Sequence, residues 1–98
     1  MIELVNMIVL AKEDNVGIAL QRIAAGEIAL ASEGRKITSH EEVPLGHKIA
    51  LAAIKEGEKI IRFGVPVGIA RSAIEPGWLV HIHNVRSQYL DNSEDHYE

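Results

Sequence analysis

The fold is decided by residues 54–77, which read IKEGEKIIRFGVPVGIARSAIEPG. The apolar pieces of this stretch are short, and glycine or proline separates each piece from the next. Short strands joined by tight turns have this texture. Residues 60–63 predict a strand that runs into a turn at Gly64, and Pro66, which has no N–H to donate, predicts an edge strand or a bulge. The stretch therefore indicates a mainly β protein.

An apolar residue followed three places later by glycine recurs four times in the chain. The four pairs are Ile23/Gly26, Val43/Gly46, Ile54/Gly57 and Ile74/Gly77. The first and second pairs are separated by 20 residues, as are the third and fourth, and a shift of 31 residues lays the first half on the second. We predict two equivalent β units, each of which needs the other to bury its apolar face.

The remaining apolar runs predict further short elements. Residues 7–10, MIVL, have the composition of a buried strand, and residues 78–85 predict the last strand. Asp14 and Asn15 are favourable residues for a helix N-cap. Apolar residues follow at helical spacing, so we predict a short amphipathic helix over residues 15–23. Those apolar residues are Val16, Ala19, Leu20 and Ile23.

Length and composition are typical of a single small domain. The chain has 98 residues, of which 47% are hydrophobic and only 4% aromatic, so the core must be built from Ile, Val, Leu and Ala. There is no cysteine, which excludes a disulfide framework, a thiolate nucleophile and a zinc finger. We predict one domain over residues 1–89 and an acidic, disordered tail over residues 90–98.

The distribution of charge narrows the classes of partner. The net charge of −4 comes from Asp91, Glu94, Asp95 and Glu98, because residues 1–89 balance ten acidic against ten basic side chains. No basic stripe is present, so nucleic-acid binding is not expected. The N-terminal apolar run lacks a preceding basic region and is too short to span a membrane. We therefore expect a soluble, cytoplasmic protein without a membrane partner.

Two short polar blocks carry the residues suited to chemistry. In an extended strand His81 and His83 would share one face, where two imidazoles can clamp a divalent metal or bind an anion. The alternative is a pair of histidines exposed on a sheet surface. His47 and Lys48 follow a turn restricted by Pro44 and Gly46 and are suited to acid/base chemistry or carboxylate binding, or they belong to a merely solvated turn.

Four segments in unbroken order resemble the SAF-like domain of the altronate/galactarate dehydratase family, over about residues 8 to 85. The matching segments are Asp14-Asn15-Val16…Ala19-Leu20, Val43-Pro44-x-Gly46-His47-Lys48-x-Ala50-Leu51, Gly57-Glu58-x-Ile60-Ile61-Arg62-Phe63-Gly64-x-Pro66-Val67-Gly68-x-Ala70 and Gly77-x-x-Val80-His81-x-His83-Asn84. The resemblance implies a β-clip fold, here with one or two short helices. It also implies sugar-acid dehydration, in which an α-proton and a β-hydroxyl are lost and a 2-keto-3-deoxy acid results.

The same resemblance implies roles for individual residues. His47 and Lys48 would be catalytic, and His81 and His83 would bind a divalent metal, most often Fe2+, with Mg2+ or Mn2+ as alternatives. The substrate-binding residues would be Asp14, Asn15 and Asn84. Which histidine binds metal and which transfers protons is left open by the sequence.

The family's dehydratases place this domain before a much larger catalytic domain. The resemblance therefore implies a stand-alone small subunit that works with a large dehydratase subunit, shares its metal with it and is inactive alone. A related branch eliminates sulfite from sulfolactate and is also built from a small and a large subunit. A non-catalytic sugar-acid-binding module, a regulatory subunit and self-association as a homo-oligomer are the alternatives.

Overall fold

The computed structural model describes residues 4–86, and within them the chain forms only β-strands, turns and irregular segments. The strands are β1 (Met7–Ile8), β2 (Val16–Ala19), β3 (Ile28–Leu30), β4 (Lys36–Thr38), β5 (Lys48–Ala50), β6 (Lys59–Arg62), β7 (Val65–Ala70), β8 (Leu79–Val80) and β9 (Val85–Arg86). The prediction of a mainly β protein is confirmed. None of the described residues lies in a helix, and hence none in a helix long and apolar enough to cross a membrane.

The strands form three antiparallel sheets. The largest has the order β1-β2-β5-β8, the second is the β3-β4 hairpin, and the third has the order β6-β7-β9. Within the third sheet the register shifts between Ile60 and Ile61, opposite Pro66. The bulge predicted from this proline is therefore present, because a residue without an N–H cannot continue the ladder.

The predicted helix over residues 15–23 is wrong. Val16–Ala19 form strand β2, and Ile23 forms an antiparallel bridge with Val43. Three of the four residues of β2 are buried, so the strand is covered on both faces and its apolar residues do not alternate with polar ones. A strand of this kind cannot be distinguished from a helical segment by the spacing of apolar residues alone.

The internal repeat is present in the structure as two equivalent pairs of turns. Ile23 and Val43 exchange two backbone hydrogen bonds of 2.9 and 2.8 Å, and Ile54 and Ile74 exchange two of 2.8 Å. Each of these four residues is followed by a turn whose glycine has φ between 83° and 88°, a conformation that favours glycine. The glycines are Gly26, Gly46, Gly57 and Gly77.

Each unit has its own buried cluster, and strand β5 contributes to both. Ile49 belongs to the first cluster with Ile23 and Val43, whereas the adjacent Ala50 belongs to the second with Ile54 and Ile74. Successive side chains of a strand point to opposite faces, so β5 lies between the two clusters. The two units therefore bury their apolar faces against shared strands, as the repeat predicted.

The last predicted strand, over residues 78–85, is interrupted. Strand β8 ends at Val80, residues 81–84 form a turn, and β9 continues in a different sheet. Asn84 holds the turn, because its Oδ1 accepts from the His81 N–H at 2.9 Å and its Nδ2 donates to the Leu79 carbonyl at 2.8 Å. These side chain–backbone hydrogen bonds compete with strand pairing, which is why the strand stops here. The predicted domain end at residue 89 and the acidic tail lie outside the described residues.

Candidate functional site

The imidazole rings of His47 and His81 lie against each other, with centroids 4.7 Å apart and planes inclined by 51°. The register of the large sheet explains this contact. Lys48 of β5 pairs with Val80 of β8, and the two histidines are the next residues outward on these antiparallel strands. The two polar blocks singled out in the sequence therefore meet at one end of the β5-β8 pair. The predicted face shared by His81 and His83 is replaced by a turn.

Lys48 and Arg62 bring two further positive charges to this region. Lys48 is half-buried, and its pKa is lowered, first by burial and then by the charge of Arg62. The guanidinium of Arg62 lies 5.1 Å from the ring centroid of Phe63. The Nε atom of Arg62 is buried and has no hydrogen-bond partner among residues 4–86. Leaving such a donor unpaired costs about 1–3 kcal/mol, so this side chain has an unmet demand for an acceptor.

His81 responds electrostatically to its basic neighbours. Its side chain is exposed, yet desolvation lowers its pKa first, followed in decreasing order by the charges of His47, Lys48 and His83. Within residues 4–86, no carboxylate is among the charges that shift the pKa of Lys48 or of His81. We refer to His47, Lys48, Arg62, His81 and His83 as the basic cluster. Its basic character favours an anionic ligand.

Asp14 and Asn15 use their side chains to hold the backbone around β6. The Asn15 Oδ1 accepts from the Ile61 N–H at 2.7 Å, and its Nδ2 donates to the Lys59 carbonyl at 2.9 Å. The Asp14 carboxylate accepts from the Gly64 N–H at 2.7 Å and from the Ala11 N–H at 3.2 Å. With no helix here, the N-cap interpretation of these two residues is wrong.

Burial of Asp14 by itself would raise the pKa of its carboxyl group. Hydrogen bonds from backbone amides at the 63–64 turn and at residues 10–11 outweigh that effect, and the pKa is lowered. Asp14 is therefore an anion held by the backbone. The three predicted substrate ligands, Asp14, Asn15 and Asn84, therefore all have hydrogen-bond partners within the chain. Their roles toward a substrate stay predictions.

Arg62 is the residue of the cluster that the sequence did not single out. It lies inside one of the segments that carry the family resemblance, but it was not selected as a site residue. The available signal was a single basic side chain in the otherwise apolar run 60–63. Such a charge inside a buried strand needs a partner, and on that ground it could have been chosen.

The cluster offers imidazole nitrogens to a metal but an incomplete set of ligands. Among residues 4–86, no group of three or more His, Asp or Glu side chains is placed to hold a metal ion. Neutral imidazoles suit Fe2+, whereas Mg2+ prefers oxygen ligands, and the positive charge of Lys48 lies close by. His81 and His83 thus fit a metal site only in part, and the metal call from the sequence stays a prediction.

The structure is a small, mainly β domain in which His47 and His81 meet beside Lys48. Residues 5–88 match the family model described as the altronate/galactarate dehydratase SAF domain. The chain belongs to this SAF domain family.

Curated relatives agree with this assignment. The chain is 40% identical to an altronate dehydratase of Bacillus subtilis (strain 168) over 80 residues, which make up 82% of this chain and 16% of that protein. It is 35% identical to an altronate dehydratase of Escherichia coli (strain K12) over 85 residues, or 87% of this chain and 17% of that protein. The aligned part therefore spans about a sixth of these dehydratases.

A third relative is a subunit rather than a domain of a longer chain. The alpha subunit of the (2R)-sulfolactate sulfo-lyase of Paracoccus pantotrophus is 34% identical over 53 residues, which cover 54% of this chain and 79% of that subunit. SAF domains related to this chain thus occur both inside a long dehydratase and as a lyase subunit.

Proposed function

We propose that the chain acts as the small subunit of a hydro-lyase that dehydrates a sugar acid of the altronate/galactarate type to a 2-keto-3-deoxy acid. The observation that carries this proposal is the contact between His47 and His81 beside Lys48, where no carboxylate of residues 4–86 is among the charges that shift the pKa of Lys48 or His81. A sugar acid brings the missing negative charge as its own carboxylate. The imidazoles then lie close to the carbon atoms where the reaction takes place.

The chemistry needs one base and one acid. A base removes the proton from the carbon next to the carboxylate, the β-hydroxyl leaves as water after receiving a proton, and the resulting enol becomes the 2-keto group. An imidazole with a lowered pKa, such as that of His81, is neutral near pH 7 and able to accept a proton. The nearby His47 is suited to protonating the departing hydroxyl, and Lys48 to holding negative charge.

A larger catalytic chain is the partner we propose. The curated relatives support it, since one is a lyase subunit alpha and the dehydratases are about six times longer than the aligned part. Apolar side chains next to the two histidines also support it. Ile82, between His81 and His83, is 74% exposed, and Leu45, whose carbonyl lies 3.3 Å from the His47 Nδ1, is 66% exposed. Covering these side chains would exclude water from the cluster.

The proposed cofactor is a divalent metal, Fe2+ by preference or Mg2+ or Mn2+, shared between the two chains. His83 would supply a nitrogen ligand and the catalytic partner would supply the rest. His81 would be a second ligand only in the alternative in which His47 and Lys48 carry out the proton transfers. When bound, the metal would polarise the substrate's oxygen atoms and stabilise the negative charge that develops on them. A cytoplasmic site of action is part of the same proposal.

The test is an activity assay of the chain alone and mixed with a candidate large subunit. Ferrous iron or magnesium and a panel of hexonates, hexarates and sulfolactate are supplied, and 2-keto acid or released sulfite is measured. We expect turnover of a sugar acid in the mixture only. His47→Gln and His81→Gln should each reduce kcat by about 100-fold or more, as expected for loss of a general acid or base.

His40→Gln is the matched control, because His40 is exposed and its ring lies next to Trp78 rather than in the cluster. Its turnover should equal that of the unmodified chain. A folded protein that binds a sugar acid but gives no turnover with any partner would refute the lyase proposal and favour a non-catalytic binding module.

The second candidate is the small subunit of a sulfolactate sulfo-lyase. It is favoured by the alignment with the Paracoccus pantotrophus subunit, which covers 79% of that relative against 16–17% for the dehydratases. Sulfite release from sulfolactate, without 2-keto acid formation from any sugar acid, would decide for it. Both candidates use an acidic substrate and the same cluster.

A further inference from the structure

We propose that Arg62 and Lys48 form the subsite that binds the carboxylate group of the acid substrate, and that Asp14 and Asn15 are positioning residues that hold the backbone on both sides of Arg62. The inference rests on the proposed function for the identity of the acid. It goes beyond that function because it adds Arg62, on the strand β6 that carries none of the histidines, to the groups that anchor the ligand.

The first observation is the unpaired Nε of Arg62. This N–H is buried and has no acceptor among the described residues, although the arginine carries a full positive charge. A guanidinium presents its Nε and one Nη in the fork that matches the two oxygens of a carboxylate. Because Nε is covered in the free chain, the side chain must turn outward to bind, and the gain of an acceptor favours that movement.

The second observation is the position of Lys48. Lys48 lies on β5 and pairs with Ile18 of the neighbouring strand β2. Asn15 directly precedes β2 and is hydrogen-bonded to Ile61, the residue before Arg62. The pairing thus connects the strand of Lys48 to the strand of Arg62, and the charge of Arg62 contributes, after burial, to the lowered pKa of Lys48. Two like charges held together by the fold are an unfavourable arrangement that an anion between them would relieve.

The third observation is how firmly the backbone on both sides of Arg62 is held. Asn15 bonds the backbone N–H and C=O of Ile61 through its side chain and its own N–H, and Asp14 accepts from Gly64. Between them, Phe63 has φ of 55°, an uncommon value for a residue other than glycine. In the free chain the guanidinium lies 5.1 Å from the centroid of the Phe63 ring, so the held turn also supports the charge before a ligand binds.

The test measures binding of galactarate and of D-altronate to the folded chain, with galactitol as the uncharged analogue. Isothermal titration and NMR chemical-shift changes give Kd without requiring turnover. We expect Arg62→Gln and Lys48→Gln each to weaken galactarate binding at least tenfold, and Arg62→Lys to be intermediate because it keeps the charge but loses the fork. Galactitol should bind none of them measurably.

Arg22→Gln is the matched control. Arg22 is also an arginine, but it forms a surface ion pair with Glu42 at 2.8 Å and its side chain is 62% exposed. Its variant should bind galactarate within twofold of the unmodified chain. An amide NMR spectrum of each variant establishes that it is folded before its affinity is compared.

The positioning role has its own readout. Asp14→Asn keeps the size of the side chain but loses the charge that holds Gly64, and should weaken galactarate binding about threefold to tenfold. In the Arg62→Gln background the same change should have no further effect, because the group that it positions is gone. A purely structural role of Asp14 would lower affinity equally in both backgrounds.

Equal affinity of the unmodified chain and Arg62→Gln for galactarate, measured alone and in the assembled complex, overturns the subsite. The subsite is also overturned if Arg62→Gln weakens binding of the large subunit but not of galactarate, because Arg62 would then bind a carboxylate of the partner. Failure of the lyase proposal has a different signature. In that case no partner supports turnover, while galactarate still binds and Arg62→Gln still weakens its binding at least tenfold.

Discussion

Asn6 and Asn15 make the same four hydrogen bonds to the two units of the fold, although they lie only nine residues apart rather than 31. Asn6 binds the Ile28 carbonyl and the Leu30 N–H through its side chain, and Asn15 binds the Lys59 carbonyl and the Ile61 N–H. The residue before β1 is thus hydrogen-bonded to the first unit, and the residue before β2 is hydrogen-bonded to the second unit in the same way.

This pair gives a prediction that separates stability from binding. Asn6→Ala and Asn15→Ala should each lower the free energy of unfolding by about 2–3 kcal/mol, because each leaves a backbone N–H and a carbonyl without a partner. Urea denaturation measures the loss. Only Asn15→Ala should also weaken galactarate binding, since β3, clamped by Asn6, carries no residue of the basic cluster. Weaker binding in both variants would argue that affinity merely follows stability.

The turn glycines Gly46 and Gly77 give a second matched pair. Both have positive φ, of 83° and 87°, so alanine at either position should cost about 1–2 kcal/mol for the backbone conformation. A Cβ at Gly46 would meet nothing within 4 Å, whereas one at Gly77 would collide with the Thr38 carbonyl oxygen. We expect Gly77→Ala to be less stable than Gly46→Ala by a further 1–3 kcal/mol or so. Equal stability of the Gly46→Ala and Gly77→Ala variants in thermal or urea unfolding would contradict the close approach of Gly77 to the Thr38 carbonyl.

The contact between His47 and His81 predicts an unusual titration. The pKa of His81 is lowered, so in an NMR titration its ring should take up a proton at lower pH than a histidine in a peptide. The unfolded chain then binds more protons at mildly acidic pH, and stability should decline as pH falls below the unfolded value of about 6.5. His47→Gln should move the pKa of His81 upward.

Ligand binding should change the same titration. A bound galactarate favours the charged imidazole and should raise the pKa of His81, whereas galactitol should leave it unchanged. A His81 resonance that titrates like a histidine in a peptide, with no response to His47→Gln, would argue against the contact of the two rings.

Asp14 predicts a second dependence on pH, at more acidic values. Its carboxyl pKa is lowered in the folded chain, so its contribution to stability is present above the unfolded pKa of about 3.9 and is lost as pH falls through the folded value. Asp14→Ala should cost about 2–3 kcal/mol at pH 7, because the N–H groups of Gly64 and Ala11 lose their acceptor. Its urea-unfolding curve should also depend less on pH below 4 than that of the unmodified chain. Parallel curves would mean that Asp14 is not the titrating group.

The turns could be predicted from the sequence because glycine has a local reason to occur in them. Gly26, Gly46, Gly57 and Gly77 each adopt a conformation that other residues avoid, so their spacing alone reveals the two units. Strand β2 could not be predicted in this way. Its apolar residues are buried on both faces, and that burial depends on strands that are distant in sequence.

The site was predictable as a set of residues but not as an arrangement. His47, Lys48 and His81 were identified from their motifs, yet their contact depends on the pairing of β5 with β8, whose register no local pattern fixes. Arg62 was overlooked although a basic residue in an apolar run was a signal, because that signal does not show that its Nε lacks a hydrogen-bond partner among residues 4–86. The turn over residues 81–84 was not predicted either, because it is formed by hydrogen bonds from the Asn84 side chain to the backbone, which interrupt the expected strand.

Strand β5 places Ile49 in one buried cluster and Ala50 in the other, and it also carries Lys48 and follows directly after His47. Neither buried cluster can therefore open locally without exposing a residue of β5, the strand that both clusters share. The amide of Ile49 should therefore exchange only through global unfolding, while exposed turn amides exchange much faster. The two halves would behave as one cooperative unit, and a fragment that ends between them would not retain the geometry of the cluster.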